Sequence, residues 1–235
     1  MLTEAEHGLF ARAAEINTPE ALRAALCEFV NGGSLRSLID DRLRDSSQIS
    51  AVAAASYRHD NGFWKVVLAE TESYKLRAHL WLEDEHAAPA DPNIHNHCWN
   101  FSSVLLRGGY AQEVFAVSDR EEDGLPVRHW SYWPDELAGH LIERGTARLK
   151  PVAQTTYRSG DSVRMPADVL HRVLTMTQTT TISLVVNGPG IRAETSVYTP
   201  GRLALLPHNV PRRLTPAEVG RAVVELRSAL QSLAP

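Results

Sequence analysis

The chain has only two cysteines, Cys27 and Cys98, in 235 residues. Two thiols make no disulfide framework, so the cytoplasm is the expected location. No apolar run is long enough to span a bilayer, and no membrane association is expected. The opening Met-Leu-Thr-Glu-Ala-Glu is acidic and lacks an apolar core, so no secretory leader is expected. The net charge is only −4 and no basic block occurs, which sets nucleic acid aside as a partner. Internal repeats and low-complexity tracts are missing as well. What remains is an ordinary globular composition, 43% hydrophobic and 22% charged, long enough for one substantial core.

The first 47 residues read as helical. Thr3-Glu4-Ala5-Glu6 has the form of a capping box, followed by an apolar stripe through Leu9, Phe10 and Ala13. Thr18-Pro19-Glu20 is a second start signal, Asn31-Gly32-Gly33 a stop, and a third helix is expected from Ser34 to about Leu43. From Phe63 the period shortens to two. Phe63–Leu68 and Tyr74–Trp81 read as strands; in the second, Tyr74, Leu76, Ala78 and Leu80 share one face and Lys75, Arg77, His79 and Trp81 the other. Asn100–Arg107 and Tyr110–Val117 flank the Gly108-Gly109 pair, a hairpin signal. Further short strands up to Tyr198, punctuated by Gly and Pro, point to a sandwich or barrel over residues 63–200. Thr215-Pro216-Ala217-Glu218 repeats the capping box and opens a helix over 215–232. Its stripe of Val219, Val223, Leu226 and Leu230 packs on the barrel or on a partner subunit. The expectation is one domain over residues 1–235.

Three histidines carry the chemistry. His95 and His97 are spaced i, i+2, and such residues project from one face of a strand. Neutral imidazole is the commonest protein metal ligand, and His171 is a third candidate downstream. Three protein ligands leave positions open on the ion, the mark of a catalytic rather than a structural metal. Cys98 should face away from His97 and act as a small buried filler. His59, His86, His129 and His140 have no partner at ligand spacing and read as surface or loop residues.

Two segments set these histidines in context: His95-Asn-His97-Cys-Trp-Asn-Phe101 running on to Gly108, and Gly160-Asp-Ser-Val-Arg-Met-Pro166-Ala-Asp168-Val-Leu-His171. They resemble the two motifs of the cupin superfamily, over roughly Tyr74 to Tyr198. The resemblance implies a mainly β fold, a cupin-type double-stranded β-helix (jelly-roll barrel), here with N-terminal helices and a C-terminal helix. Asp168 stands where the family motif has glycine, and Asp tolerates left-handed geometry. The family's glutamate position holds Phe101, or Ser102 if the spacing stretches by one. The implied ligand set is therefore His95, His97 and His171, leaving about three positions open on an octahedral ion.

Within the superfamily, three histidines without the glutamate look like the cysteine-dioxygenase type, which uses ferrous iron and dioxygen. By that resemblance Arg58, in Tyr57-Arg58, would pair with a substrate carboxylate. The Ser-His-Tyr relay of that type is replaced here by Ser183, Val185 and Asn187. Its proton relay and its cysteine substrate are therefore not carried over. Dimers are common among cupins, so a homodimer is a further expectation.

A neutral ligand set leaves the full charge on the ion and favours an anionic, chelating small substrate. Arg77 and His79 are candidates for recognising it, on a polar stripe that lines the cavity or faces solvent. Ser102 is a pocket candidate if a short bulge brings it, with Asn100, into strand parity with His97, and Trp99 and Phe101 wall the pocket or the core. Trp130 and Trp133 pack or form a lid, and Arg164 reads as a solvent-face or ion-paired residue. Asn96, Asn100 and Asp168 are near enough in sequence to hold the imidazoles by their other nitrogen. The function expected is an Fe(II)-dependent oxygenase acting on a small amino-acid-like or carboxylate substrate with O2. Zn, Ni, Mn or Cu also suit three imidazoles. Two rivals stay open: a non-redox metal-dependent isomerase, lyase or hydrolase, and a non-catalytic small-molecule binding or sensing barrel.

Overall fold

Helix starts form where side chains can take up the unpaired N–H groups of a first turn. In this computed structural model, which describes residues 1–59, 61–85, 92–120, 123–133, 140–175, 179–199 and 211–233, Thr3 and Glu6 cap α1 (Glu4–Ile16) reciprocally. Asn17, left-handed at φ 50°, ends it. Thr18 caps α2 (Pro19–Asn31), and Gly33, at φ 82°, opens α3 (Ser34–Arg44). A fourth helix, α4 (Ser46–Ala55), was not expected. Asp45 caps it by accepting from the Ser47 N–H at 2.9 Å, so the helical segment continues well past residue 47.

Twelve strands follow: β1 (Tyr57–His59), β2 (Phe63–Glu70), β3 (Lys75–Trp81), β4 (Ile94–His95), β5 (Trp99–Arg107), β6 (Gly109–Val117), β7 (Leu125–Trp133), β8 (His140–Arg158), β9 (Ser162–Met165), β10 (Leu170–Thr175), β11 (Thr181–Gly190) and β12 (Thr195–Thr199). One sheet has the order β1-β2-β3-β11-β5-β9; the other closes as a ring, β10-β4-β12-β7-β8-β6. From β3 to β6, and again from β8 to β11, each strand enters the sheet opposite to its predecessor's. That winding between two facing sheets is the double-stranded β-helix.

The alternation corrects one expectation. β5 and β6 are not a hairpin pair: the chain crosses from the first sheet to the second at Gly108-Gly109. Gly108 sits at φ 71°, and a Cβ there would lie 2.6 Å from Thr181 Oγ1, so the crossing requires glycine.

The outer face of the first sheet is apolar. Val66, Leu68, Leu76, Ala78, Leu80, Val104, Leu106, Ile182, Leu184 and Val186 form one cluster with the N-terminal helices and with α5 (Pro216–Ser232). The α5 stripe of Val219, Val223, Leu226 and Leu230 is buried there, within the chain. A second cluster, Ile94, Phe115, Val127, Leu149, Leu170 and Tyr198, fills the ring. Between the two sheets Leu105, Tyr110, Val163 and Met165 pack together. The rest of that inner space is polar, and it holds the histidines.

Candidate metal centre

His171 on β10 lies directly across from His95 on β4. Their strand neighbours Leu170 and Ile94 belong to the ring cluster, so by alternation both imidazoles point the other way, toward the first sheet. β4 ends at His95, so His97 lies beyond the strand; its backbone N–H donates to the Ala167 carbonyl at 3.0 Å, in the loop before His171. The three rings meet with centroids 4.9 Å apart (His95–His97 and His95–His171) and 5.1 Å apart (His97–His171). One ligand nitrogen from each falls within 4.8 Å of the other two, close enough for a single ion to reach all three after small side-chain rotations.

The donor set fits a divalent metal. His95 Nδ1 donates to the Asn93 carbonyl at 3.0 Å and His171 Nδ1 to the Val169 carbonyl at 3.2 Å. Each bond fixes the tautomer and leaves Nε2 as a lone-pair donor. His97 Nε2 is buried and has no hydrogen-bond partner among the described residues. An unpartnered buried nitrogen is costly, and coordination would relieve it. Burial pushes the His171 pKa down to about 3, with His95 adding to the shift, and burial likewise lowers His95. Burial first, then His95 and His171, then Arg77 and Lys65, hold His97 well below the ordinary 6.5. All three imidazoles are thus neutral at physiological pH, the form that binds metal.

Phe101, at the position where the sequence resemblance implies a glutamate, stands beside the cluster. Its ring stands edge-on to His97 at 4.8 Å and 6.1 Å from His171. The loop carboxylate nearest in sequence, Asp168, is exposed and not left-handed; the positive φ values of this region belong to Gly108 and Gly160. The His95 and His171 imidazoles are held by main-chain carbonyls rather than by Asn96, Asn100 or Asp168. Asn96 instead accepts from the Ser196 N–H at 2.7 Å, and Asn100 ties Ala167 N to the Asn17 carbonyl.

Beyond the rings, the inward face of β1, β2 and β3 forms a polar pocket. Strand register places Tyr57 across from Lys65, Lys65 across from His79, and Val67 across from Arg77. Lys65 Nζ donates to Tyr57 Oη at 2.7 Å. Arg77 is 3% exposed; its Nε donates to His79 Nε2 at 3.1 Å and its Nη1 to Asn187 Oδ1. Phe63 is sandwiched between His59 and His79, at 4.4 Å from each. Burial lowers the Arg77 pKa to about 10 and drives Lys65, His79 and His59 well below their ordinary values.

Several expectations change here. Arg77 and His79 face the inner space rather than solvent. Ser102 does not: it lies on the opposite face of β5 from Phe101, and its hydroxyl donates to the Pro19 carbonyl at 2.6 Å. The bulge that would have kept it in phase with His97 does not put it on that side. Arg58 also points outward, ion-paired to Glu218 at 2.9 Å and lying over Trp64; its neighbours Tyr57 and His59 take the inward positions. His59 is therefore a pocket residue and not a surface one. His129 stacks on Tyr198 at 4.5 Å, and Arg164 pairs with Glu20 at the surface. Trp130 donates to Thr199 and Trp133 packs under Arg144, so both are packed residues of the ring. Cys98 is buried against Thr195. His86 and the side chain of His140 lie outside the described residues. Lys65 and Tyr57 were missed. The signal was a lone lysine at alternate spacing inside Phe63-Trp64-Lys65-Val66-Val67, too apolar a strand for a solvent face.

No protein-family model and no curated protein matches the sequence. Solved structures are similar at a low level. An RmlC-like cupin from Shewanella frigidimarina is 12% identical, covering 58% of this chain and 84% of its own, at a TM-score of 0.33. A hydroquinone 1,2-dioxygenase from Sphingomonas, with 4-hydroxybenzoate bound, is 11% identical over 59% and 71%, at 0.35. An RmlC-like cupin family protein from Methanocaldococcus jannaschii is 12% identical over 57% and 85%, at 0.30. The chain's own strand order carries its fold. By that order, and by where its histidines meet, the chain is a cupin-type double-stranded β-helix with a three-histidine cluster between its sheets.

Proposed function

We propose that this chain binds one divalent metal, Fe(II), through His95, His97 and His171, and oxidises a small amino-acid-like or carboxylate substrate with O2. The observation that carries the reading is the cluster itself: three neutral imidazoles, two of them oriented by backbone carbonyls, with a phenylalanine in place of a fourth ligand. The bound metal would supply Lewis acidity and electron transfer toward dioxygen. The protein's part is to position and to exclude. Phe101 blocks one side of the cluster and adds no charge. Arg77 and His79 lie on the pocket side, where a guanidinium can hold a carboxylate.

The test is metal analysis of protein purified without oxygen, followed by oxygen uptake with amino acids, thiols and hydroxy acids. Iron at about one per chain with substrate-triggered uptake supports the oxygenase. Zinc or nickel without uptake would move the reading to a non-redox isomerase, lyase or hydrolase. His171→Ala is expected to weaken metal binding by roughly 100-fold or more, since it removes a ligand outright and even indirect partners are worth about 10–100-fold. Unchanged metal content in that variant would sink the three-histidine site.

A further inference from the structure

The space beside the histidines holds two basic side chains, and among the described residues no acid is bonded to either. Lys65 and Arg77 lie diagonally across β2 and β3, on the face turned toward the three rings. The hydrogen-bond partners of both are neutral: Tyr57 for Lys65, His79 and Asn187 for Arg77. Among the described residues, the acid that shares their face is Glu70. It sits at the exposed end of the strand pair, ion-paired with Lys75, and reaches Lys65 and Arg77 only through space. The remaining walls are also uncharged: His59 from β1, Phe63 from β2, Trp81 from β3, Ser183 and Val185 from β11.

A buried cation without a counter-charge is costly, and proteins keep one where a ligand supplies the missing charge. Three neutral imidazoles leave a bound metal's charge uncompensated as well. A single carboxylate can chelate the ion or neutralise the pair, but not both. We infer that the ligand of this pocket is a small dianion, with one acid group chelating the metal together with an adjacent hydroxyl, amine or thiol, and a second, distal carboxylate seated on Lys65 and Arg77. The inference rests on the reading that the histidine cluster is the substrate site, and it narrows the substrate to dicarboxylates.

Malate and lactate separate the two halves of this claim. Both present an α-hydroxy acid to the metal, and only malate adds a distal carboxylate. Calorimetric titration of the Co(II)-loaded protein is expected to show malate binding at least ten-fold more tightly than lactate. Lys65→Met and Arg77→Met should each erase most of that gap, and Lys65→Arg should keep it. Far-UV circular dichroism checks that the variants fold. Equal affinity for the two acids in the wild type, or variants that lose both acids alike, would overturn the inference. The titration is repeated on metal-free protein, where malate should still bind better than lactate through the two cations. A persisting gap without oxygen uptake means that the oxygenase reading alone has failed. Oxygen uptake triggered equally well by monoanionic substrates means that the dianion has failed and the oxygenase stands.

Discussion

The two faces of strand β3 are both buried, and they are built from opposite chemistry. Leu76, Ala78 and Leu80 are fully buried against the helices. Arg77 is almost as buried on the other face, beside His79 and across the sheet from Lys65. A strand enclosed on both sides is expected to read as a continuous apolar run. Here the outward face obeys that rule and the inward face breaks it. The outward face serves stability through area removed from water. The inward face gives up that gain and holds charge in a space where charge is expensive. Departures of this kind mark functional sites, because nothing in folding alone rewards them.

Four substitutions probe the contrast, in descending order of expected effect. Leu80→Ala, on the helix-facing side, should cost about 2–5 kcal/mol in urea unfolding by opening a cavity in a close-packed core. Metal affinity should be unchanged in the protein that remains folded; a loss would mean that the two faces are not independent. Ser102→Ala should cost about 1 kcal/mol, the worth of its bond to the Pro19 carbonyl, and should leave ligand binding alone. If Ser102→Ala changed malate or lactate affinity, its outward placement would be wrong.

Arg77→Met should leave stability within about 1 kcal/mol of wild type, because an apolar side chain of similar length relieves the desolvation penalty that Arg77 now carries. A large destabilisation would show that Arg77 is structural rather than held for a ligand. The smallest effect is expected at Glu218. Burial would raise its carboxyl pKa, but hydrogen bonds from Arg212, the Thr215 backbone and Arg58 bring it down to about 2 from the ordinary 4.5. A depressed folded-state value contributes stability that is present above pH 4.5 and lost as the pH falls toward about 2. Its partners Arg58 and Arg212 are 37% and 53% exposed, so solvent screening keeps the contribution small. Glu218→Gln should flatten the acid limb of the stability curve within that window and nowhere else.

Much of this fold was legible because local chemistry and global structure agree. Capping boxes at Thr3 and Thr215 opened helices where they stood, since the unpaired N–H groups of a first turn are satisfied locally. Alternation in Tyr74–Trp81 assigned both faces of β3 before any partner strand was known. The Gly108-Gly109 pair was legible as a turn and misread as a hairpin. A glycine pair permits a reversal, but only long-range pairing decides which sheet the next strand joins. Arg58 and His59 were misplaced because β1 has only three residues, too few for a pattern to show which way it faces.

The sequence by itself determined the candidate ligand types, their order along the chain and the two-residue spacing of His95 and His97. It also placed Phe101 where the resemblance to cupins implies a fourth ligand, and a phenylalanine cannot coordinate whatever surrounds it. Only the tertiary structure decided that His171 lies across from His95 and that these two imidazoles are held by the Val169 and Asn93 carbonyls. It alone decided that Lys65 and Arg77 share one enclosed space with the histidines. These facts depend on strand register between segments tens of residues apart. Register is set by the packing of whole faces, and no local pattern encodes it.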